Sequence, residues 1–187
     1  TGSSEAGLIV MQQYKIIFSG PVGAGKSTAI KMLSDIDVVA TEAKASDHVQ
    51  QVKESTTVAM DYGRINLDAN TMVHLYGTPG QERFSFMWDI LSQGALGLVL
   101  LIDSSSASVD TDIKTYLGAF DKFLAENPVV IGLTRGDLSD CIDWETIHQT
   151  LAAMNIAAPV FEVDARNKDD INMLVEALVL SIDPSSR

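Results

Sequence analysis

Apolar and polar positions along the 187-residue chain alternate between a β period and a helical period. Residues 14–19 (YKIIFS) form a β-rich run, and 26–34 read as a helix. Residues 35–55 have only weak periodicity. Two β-like runs, 57–67 and 71–76, flank the short turn Asp68-Ala69-Asn70, which predicts an antiparallel hairpin. Residues 77–93 read as a loop passing into an amphipathic helix. The run 97–102 (GLVLLI) is wholly apolar, as a central strand covered on both faces requires. Ile113, Leu117, Phe120 and Leu124 place a helix over 110–125, and 128–133 (PVVIGL) is the next buried strand. A helix over 142–154 has Asp143 near its start; 159–163 is the last strand. The last helix, 169–182, carries Ile171, Leu174, Val175, Leu178 and Ile182 on one stripe. This alternation predicts a three-layer α/β/α fold with a mostly parallel six-stranded sheet and one antiparallel edge strand. Ligands of such sheets lie beyond the carboxyl ends of the strands.

Composition narrows the classes. Apolar content of 46% belongs to folded chains, and the formal net charge of −12 disfavours non-specific binding to nucleic acid or anionic lipid. Cys141 is the one cysteine, so no internal disulfide forms, which suits a reducing cytoplasm. No apolar run approaches membrane-spanning length, and the C-terminal residues lack a prenylation cysteine, so no direct membrane anchor is expected. Residues 1–10 read as a tag remnant before a native start at Met11, 11–183 as one domain and 184–187 as a tail.

Gly20 to Thr28 reads GPVGAGKST and matches G-x-x-x-x-G-K-[ST], the loop that wraps nucleotide phosphates. Gly20, Gly23 and Gly25 allow positive φ, so that the loop containing Val22 and Ala24 brings its N–H groups to phosphate oxygens. Lys26 adds a charge for the β- and γ-phosphates, and Ser27 a hydroxyl for Mg²⁺. Thr28 continues into a helix whose positive end faces the anion. A chance match in a glycine-rich turn is the bland alternative; the strand before and the helix after argue against it.

Other loops fall at the same sheet edge. In Gly77-Thr78-Pro79-Gly80-Gln81, the Gly80 N–H would meet a γ-phosphate and Gln81 would hold an attacking water. In Thr134-Arg135-Gly136-Asp137, a carboxylate accepts from N1–H and the 2-amino group of guanine, a donor pair that adenine lacks. The stem of Arg135 can lie along the base. After the last strand, Asp164-Ala165-Arg166 would offer a backbone N–H to guanine O6, while Asn167 and Asp170 look equally like caps of the final helix. Thr56-Thr57 ends the long segment from Asp35, and its hydroxyl would complete the Mg²⁺ shell. Each of these loops alone has an ordinary turn reading.

Phosphate loop, distal Thr, Gly-Gln pair, T-x-x-D and D-A-R, in that order, resemble the Ras-like small GTPases over nearly all of residues 11–182. The stretches TTVAMDYG (56–63) and GTPGQERF (77–84) look more specifically like the bacterial branch of the gliding-motility GTPase MglA. The resemblance implies a cytoplasmic switch that binds GTP and GDP with Mg²⁺ and hydrolyses GTP. In it, Lys26, Gln81 and Thr57 would be catalytic, and Ser27 and Thr57 would hold the metal. The nucleotide would be bound by 20–28, Gly80, Thr134, Arg135, Asp137, Ala165 and Arg166. It also implies a roadblock (MglB-like) partner that stimulates hydrolysis, and an effector.

Three departures from the family pattern matter. Gly77 stands where D-x-x-G has its Asp, so Asp61 or Asp103 would have to substitute. Thr134 and Arg135 replace the usual Asn and Lys of the base element. Val22 would crowd Gln81 and slow intrinsic hydrolysis. Arg83 and Arg64 are candidates for an arginine acting in cis, with a surface or structural role as the alternative. Phe84, Phe86, Met87 and Trp88 cannot all face inward from one turn, so part of that cluster is expected to meet a partner. The competing readings are an ATP-dependent P-loop enzyme such as a small kinase, for which no Arg-rich lid is visible, and a nucleotide-binding scaffold with little hydrolysis.

Overall fold

The computed structural model describes residues 11–44, 57–82, 85–138 and 142–182. Strand β1 (Gln12–Ser19) leads through the glycine loop into helix α1 (Lys26–Leu33). Then follow β2 (Val39–Lys44), β3 (Thr57–Asp68), β4 (Thr71–Gly77), α2 (Ser85–Ser92) and β5 (Gly97–Asp103). The second half contains α3 (Val109–Ala119), the single turn α4 (Asp121–Leu124), β6 (Val129–Thr134), α5 (Trp144–Ala153), β7 (Val160–Glu162) and α6 (Lys168–Ile182).

The strands make one sheet in the order β2-β3-β4-β1-β5-β6-β7. β3 is antiparallel to β2 and to β4, and the other pairings are parallel. Side-chain alternation splits the core into two layers. Ile16, Phe18, Leu75 and Leu101 pack with Ile30 of α1 and Leu174 and Leu178 of α6. Ile17, Leu98, Leu100 and Ile102 pack with Trp88, Ile113, Leu117, Ile147 and Leu151 on the other side. This is the expected α/β/α architecture.

Details differ from the sequence expectation. The sheet has seven strands rather than six, because Val39–Lys44, inside the weakly periodic segment, forms an edge strand. The antiparallel strand therefore lies one place in from the edge. The helix over 110–125 is broken at Phe120, whose φ of −99° and ψ of 12° leave the helical region. The break keeps Phe120 buried and stacked on Trp88, ring centroids 5.6 Å apart. Trp88 itself is core, 1% exposed, whereas Phe86 and Ile90 on the same helix face solvent. Only part of the aromatic cluster after Gln81 is thus available to a partner, and Phe84 lies outside the described residues.

Candidate functional site

The carboxyl ends of β1, β4, β5, β6 and β7 deliver their loops to one edge. The glycine loop is held against that edge by close contacts. Gly20 has φ 139°, and a Cβ there would fall 2.0 Å from the Leu101 carbonyl oxygen. Gly25, with φ 98°, is the N-cap of α1. Positive φ at Gly20, Gly23 and Gly25 is the geometry that the motif predicts.

Lys26 is buried under this loop and donates to the carbonyls of Gly20 at 2.7 Å and Pro21 at 2.6 Å. Burial pushes its ammonium down to about 8, with the Asp61 carboxylate opposing the fall. A cation held so close to neutrality favours an anionic ligand that returns its charge partner.

Gly80 approaches the loop so closely that a Cβ would stand 2.7 Å from the Val22 nitrogen and 2.9 Å from Lys26 Nζ. It is held there by Tyr116, which sequence reasoning did not single out, and by Trp88, which sequence reasoning placed only in an apolar cluster. The Tyr116 hydroxyl donates to the Gly80 carbonyl at 2.7 Å, and Trp88 Nε1 donates to the Pro79 carbonyl at 3.0 Å. Their rings stack at 4.8 Å. Burial, then the negative charges of Glu82 and Asp112, push the Tyr116 phenol well above its ordinary range, so it stays a donor. Ser19 and Thr78, both buried, join their hydroxyls at 2.8 Å, and the Thr78 N–H donates to the Phe18 carbonyl at 2.9 Å. The glycine loop and the Gly77–Gln81 loop are therefore one braced unit. Gln81 is exposed beside it, and Val22 is exposed on the loop crest.

Asp61 and Asp103 separate clearly. Asp61 pairs with Gly77 across β3 and β4, and its Oδ2 accepts from the Ser27 hydroxyl. Asp103 instead forms an ion pair with Arg135 at 3.6 Å and caps the turn after β5 through Ser105. Arg64 is paired in register with His74, on the sheet face opposite Asp61 and Gly63, which removes it from the phosphate edge. Arg83 and Thr56 lie outside the described residues, as does the Thr57 side chain. The Thr57 backbone opens β3 at the same edge.

The base elements converge as well. A cavity of 340 Å³ is lined by Ala24, Gly25, Thr28, Thr134, Arg135, Asp137, Ala165 and Arg166, among others. Thr134 does not reach outward like the amide it replaces. Its buried hydroxyl donates to the Ala24 carbonyl at 2.9 Å, tying the end of β6 to the phosphate loop. Arg135 takes φ 59° and lays its guanidinium near Gly23. Arg166 grips Asp164 at 2.8 Å and reaches Asp137 at 3.7 Å. Its hydrogen bonds hold the Asp164 carboxyl down to about 2. Asn167 does cap α6, accepting from the Asp169 N–H at 3.0 Å, but Asp170 turns back to accept from Asp164 N at 2.8 Å. A larger groove of 780 Å³ lies at the amino ends of β5 and β6, near Ala95, Pro128 and Leu180, far from every motif.

The donors fit a nucleotide with a divalent cation. The Ser27 hydroxyl would offer a hard oxygen to such a cation, with the Asp61 carboxylate hydrogen-bonded behind it. Among the described residues, no group of three or more His, Cys, Asp and Glu side chains is placed to hold a metal ion. No described helix is long and apolar enough to cross a membrane.

Comparison with known proteins supports this picture. A family model described as "Conserved hypothetical ATP binding protein" matches residues 35–183, a span that begins after the phosphate loop and includes the base elements. Ras-related protein Rab-1D of Dictyostelium discoideum is 26% identical over 164 residues, covering 84% of this chain and 74% of that protein. Ras-related protein RABD2a of Arabidopsis thaliana is 24% identical over 173 residues, 90% of this chain and 79% of that protein. With the sheet order and the glycine loop, the fold is that of a Ras-like P-loop nucleotide-binding protein.

Proposed function

The chain belongs to the family described as a conserved hypothetical ATP binding protein, and from that premise we propose that it is a GTP-binding switch that hydrolyses GTP to GDP with Mg²⁺. The observation that carries this reading is the cavity where Asp137, Ala165 and Thr28 meet. An exposed carboxylate there matches the two adjacent donors of guanine and faces an acceptor on adenine. The similarity to Rab proteins favours the same base. The family description favours adenine, and a single experiment separates the two.

In this reading the loop 20–28 wraps the phosphates, and Lys26 exchanges its carbonyl partners in part for the β- and γ-oxygens. Mg²⁺ would be held by Ser27 and Thr57 and would supply charge neutralisation on the phosphate oxygens. Gly80 presents its N–H to the γ-phosphate, and Gln81 orients water for in-line attack. Val22, beside Gly80, keeps that step slow. Residues 11–183 act as one domain in the cytoplasm. The motifs TTVAMDYG and GTPGQERF support a place in the MglA-related branch, with a roadblock-type partner that accelerates hydrolysis and an effector that reads the 35–57 and 80–88 segments. Phe86 and Ile90, exposed on α2, are part of the surface such a partner would touch.

The test is the identity of the nucleotide carried through purification, released by denaturation and separated by ion-exchange chromatography. GDP or GTP at near one equivalent is expected; an adenine nucleotide would overturn the base assignment.

A further inference from the structure

Arg64, which the phosphate edge does not use, stands in a row that crosses three strands. Lys15 of β1 pairs with His74 of β4, and His74 pairs with Arg64 of β3. Residues paired across strands share a face, so the three are neighbours on one side of the sheet. The next row toward the phosphate edge is Ile17, Tyr76 and Tyr62, and the row behind is Gln13, Met72 and Asn66. No acid stands in these three rows, although the chain has 25 acidic residues against 13 Lys and Arg.

The row is half-buried. The Lys15 ammonium donates to the Gln93 carbonyl at 3.0 Å and lies 5.2 Å over the Tyr76 ring, and burial lowers its pKa. Arg64 Nε is the one buried side-chain polar atom without a hydrogen-bond partner among the described residues. Among those residues neither Lys15 nor Arg64 forms an ion pair. His74 between them is tied on both sides, to the Tyr62 hydroxyl at 2.8 Å and to Gln13 Oε1 at 3.1 Å. The face thus holds two cations that lack an anion, on a floor fixed by hydrogen bonds and edged by two tyrosine rings.

We propose that this row docks an acidic segment of a partner protein, its carboxylates meeting Lys15 and Arg64 and its apolar side chains lying on Tyr62 and Tyr76. A carboxylate taken side-on by Arg64 supplies the acceptor that Nε lacks. The two cations stand two strands apart, about 10 Å, a span that two carboxylates of one segment can cover. A nucleic acid or an anionic membrane would instead face the whole of a surface with net charge −12. Lys15 lies four residues before Ser19, the end of β1, and so about 13 Å behind the glycine loop. Docking here is therefore independent of the bound nucleotide and separate from the α2 surface, and it does not rest on the nucleotide reading.

The probe is a short fluorescein-labelled peptide with glutamates spaced among leucines, compared by anisotropy with the same peptide carrying lysines. Wild-type protein binds the glutamate peptide and not the lysine peptide, equally well with GDP or a GTP analogue present. Arg64→Gln and Lys15→Gln each weaken binding about fivefold, the effect of losing one partly exposed ion pair. Lys15→Glu combined with Arg64→Glu reverses the preference between the peptides. Lys122→Gln removes an exposed charge elsewhere and changes nothing. Circular dichroism checks folding, and the single Gln variants decide the matter if the double reversal does not fold. A glutamate peptide that fails to bind, or that binds the Gln variants as tightly as wild type, overturns the proposal. So does tighter binding of oligothymidylate or phosphatidylserine vesicles at these same residues, or binding that appears only with the GTP analogue.

Discussion

At the phosphate end of the site, Ser19, Lys26 and Thr78 are buried and direct their polar atoms at backbone carbonyls or at each other, and the buried Thr134 of the base element ties into the same loop. At the base end, Arg135, Asp137 and Arg166 are exposed and engage through ion pairs of 3.6 and 3.7 Å. The first end is preorganised: its groups already occupy positions that a ligand completes. The second is adjustable, because exposed ion pairs contribute little and exchange partners readily. In the proposed reading, phosphate binding is therefore built into the fold, and base choice falls to a few surface side chains.

The largest expected effect comes from the buried end. Lys26→Met removes a desolvated cation and keeps the apolar stem, so nucleotide affinity should fall about 10²–10³-fold, as when one partner of a buried charge pair is removed. The empty protein should lose no stability, because the ammonium is costly to bury. Calorimetry with GDP and a urea titration of the empty protein check both halves. If stability fell with affinity, Lys26 would be a structural post rather than a waiting ligand.

Next comes the open end. Asp137→Asn replaces one of the two acceptor oxygens with a donor and removes the charge, so guanine affinity should drop about 100-fold, one charge-assisted hydrogen bond being lost and the other weakened. Xanthine nucleotides, which carry an oxygen where guanine has its 2-amino group, should gain by comparison. The phosphate end should not respond, and inorganic pyrophosphate should compete equally well against both proteins. A loss of pyrophosphate binding would dissolve the distinction between the two ends.

The pH dependence follows from Lys26. Its folded value, about 8, lies below the ordinary 10.5, so between these values the unfolded chain binds more protons. The empty protein should therefore gain stability as pH rises through that window. Nucleotide binding restores the proton, so affinity should fall by up to about tenfold per unit over the same window. Denaturation midpoints and GDP titrations at matched ionic strength follow the two opposed trends.

The smallest effect belongs to the brace between them. Tyr116→Phe deletes one hydrogen bond to the Gly80 carbonyl, worth about 1 kcal/mol, and should alter the rate of GTP hydrolysis by about fivefold while leaving GDP affinity unchanged. A change in GDP affinity instead would mean that the Gly77–Gln81 loop supports the whole phosphate end and not the γ-position alone.

These contrasts also account for what the sequence made legible. The phosphate loop is contiguous, so its glycines, Lys26 and Ser27 could be read directly, and the central strands were legible from their unbroken apolar runs. Asp61 appeared only as one of two candidates, because its pairing with Gly77 is a matter of strand register that no local pattern encodes. Trp88 belongs to a cluster of which only part was expected to face a partner, and the sequence does not say which part; the short α2 turns it inward onto Tyr116, a residue nearly thirty positions further on. Tyr116 carried no signal beyond helical spacing; its role comes from an hydroxyl that meets a carbonyl across the fold. The edge strand β2 escaped notice because it lies within the weakly periodic segment 35–55.

The most direct measurement is a competition titration, in which GTP and ATP each displace a fluorescent guanine nucleotide from the Mg²⁺-loaded protein. The account predicts that GTP displaces it at concentrations at least about 100-fold lower than ATP, because adenine leaves Asp137 facing an acceptor. Displacement by ATP at equal or lower concentration would contradict it.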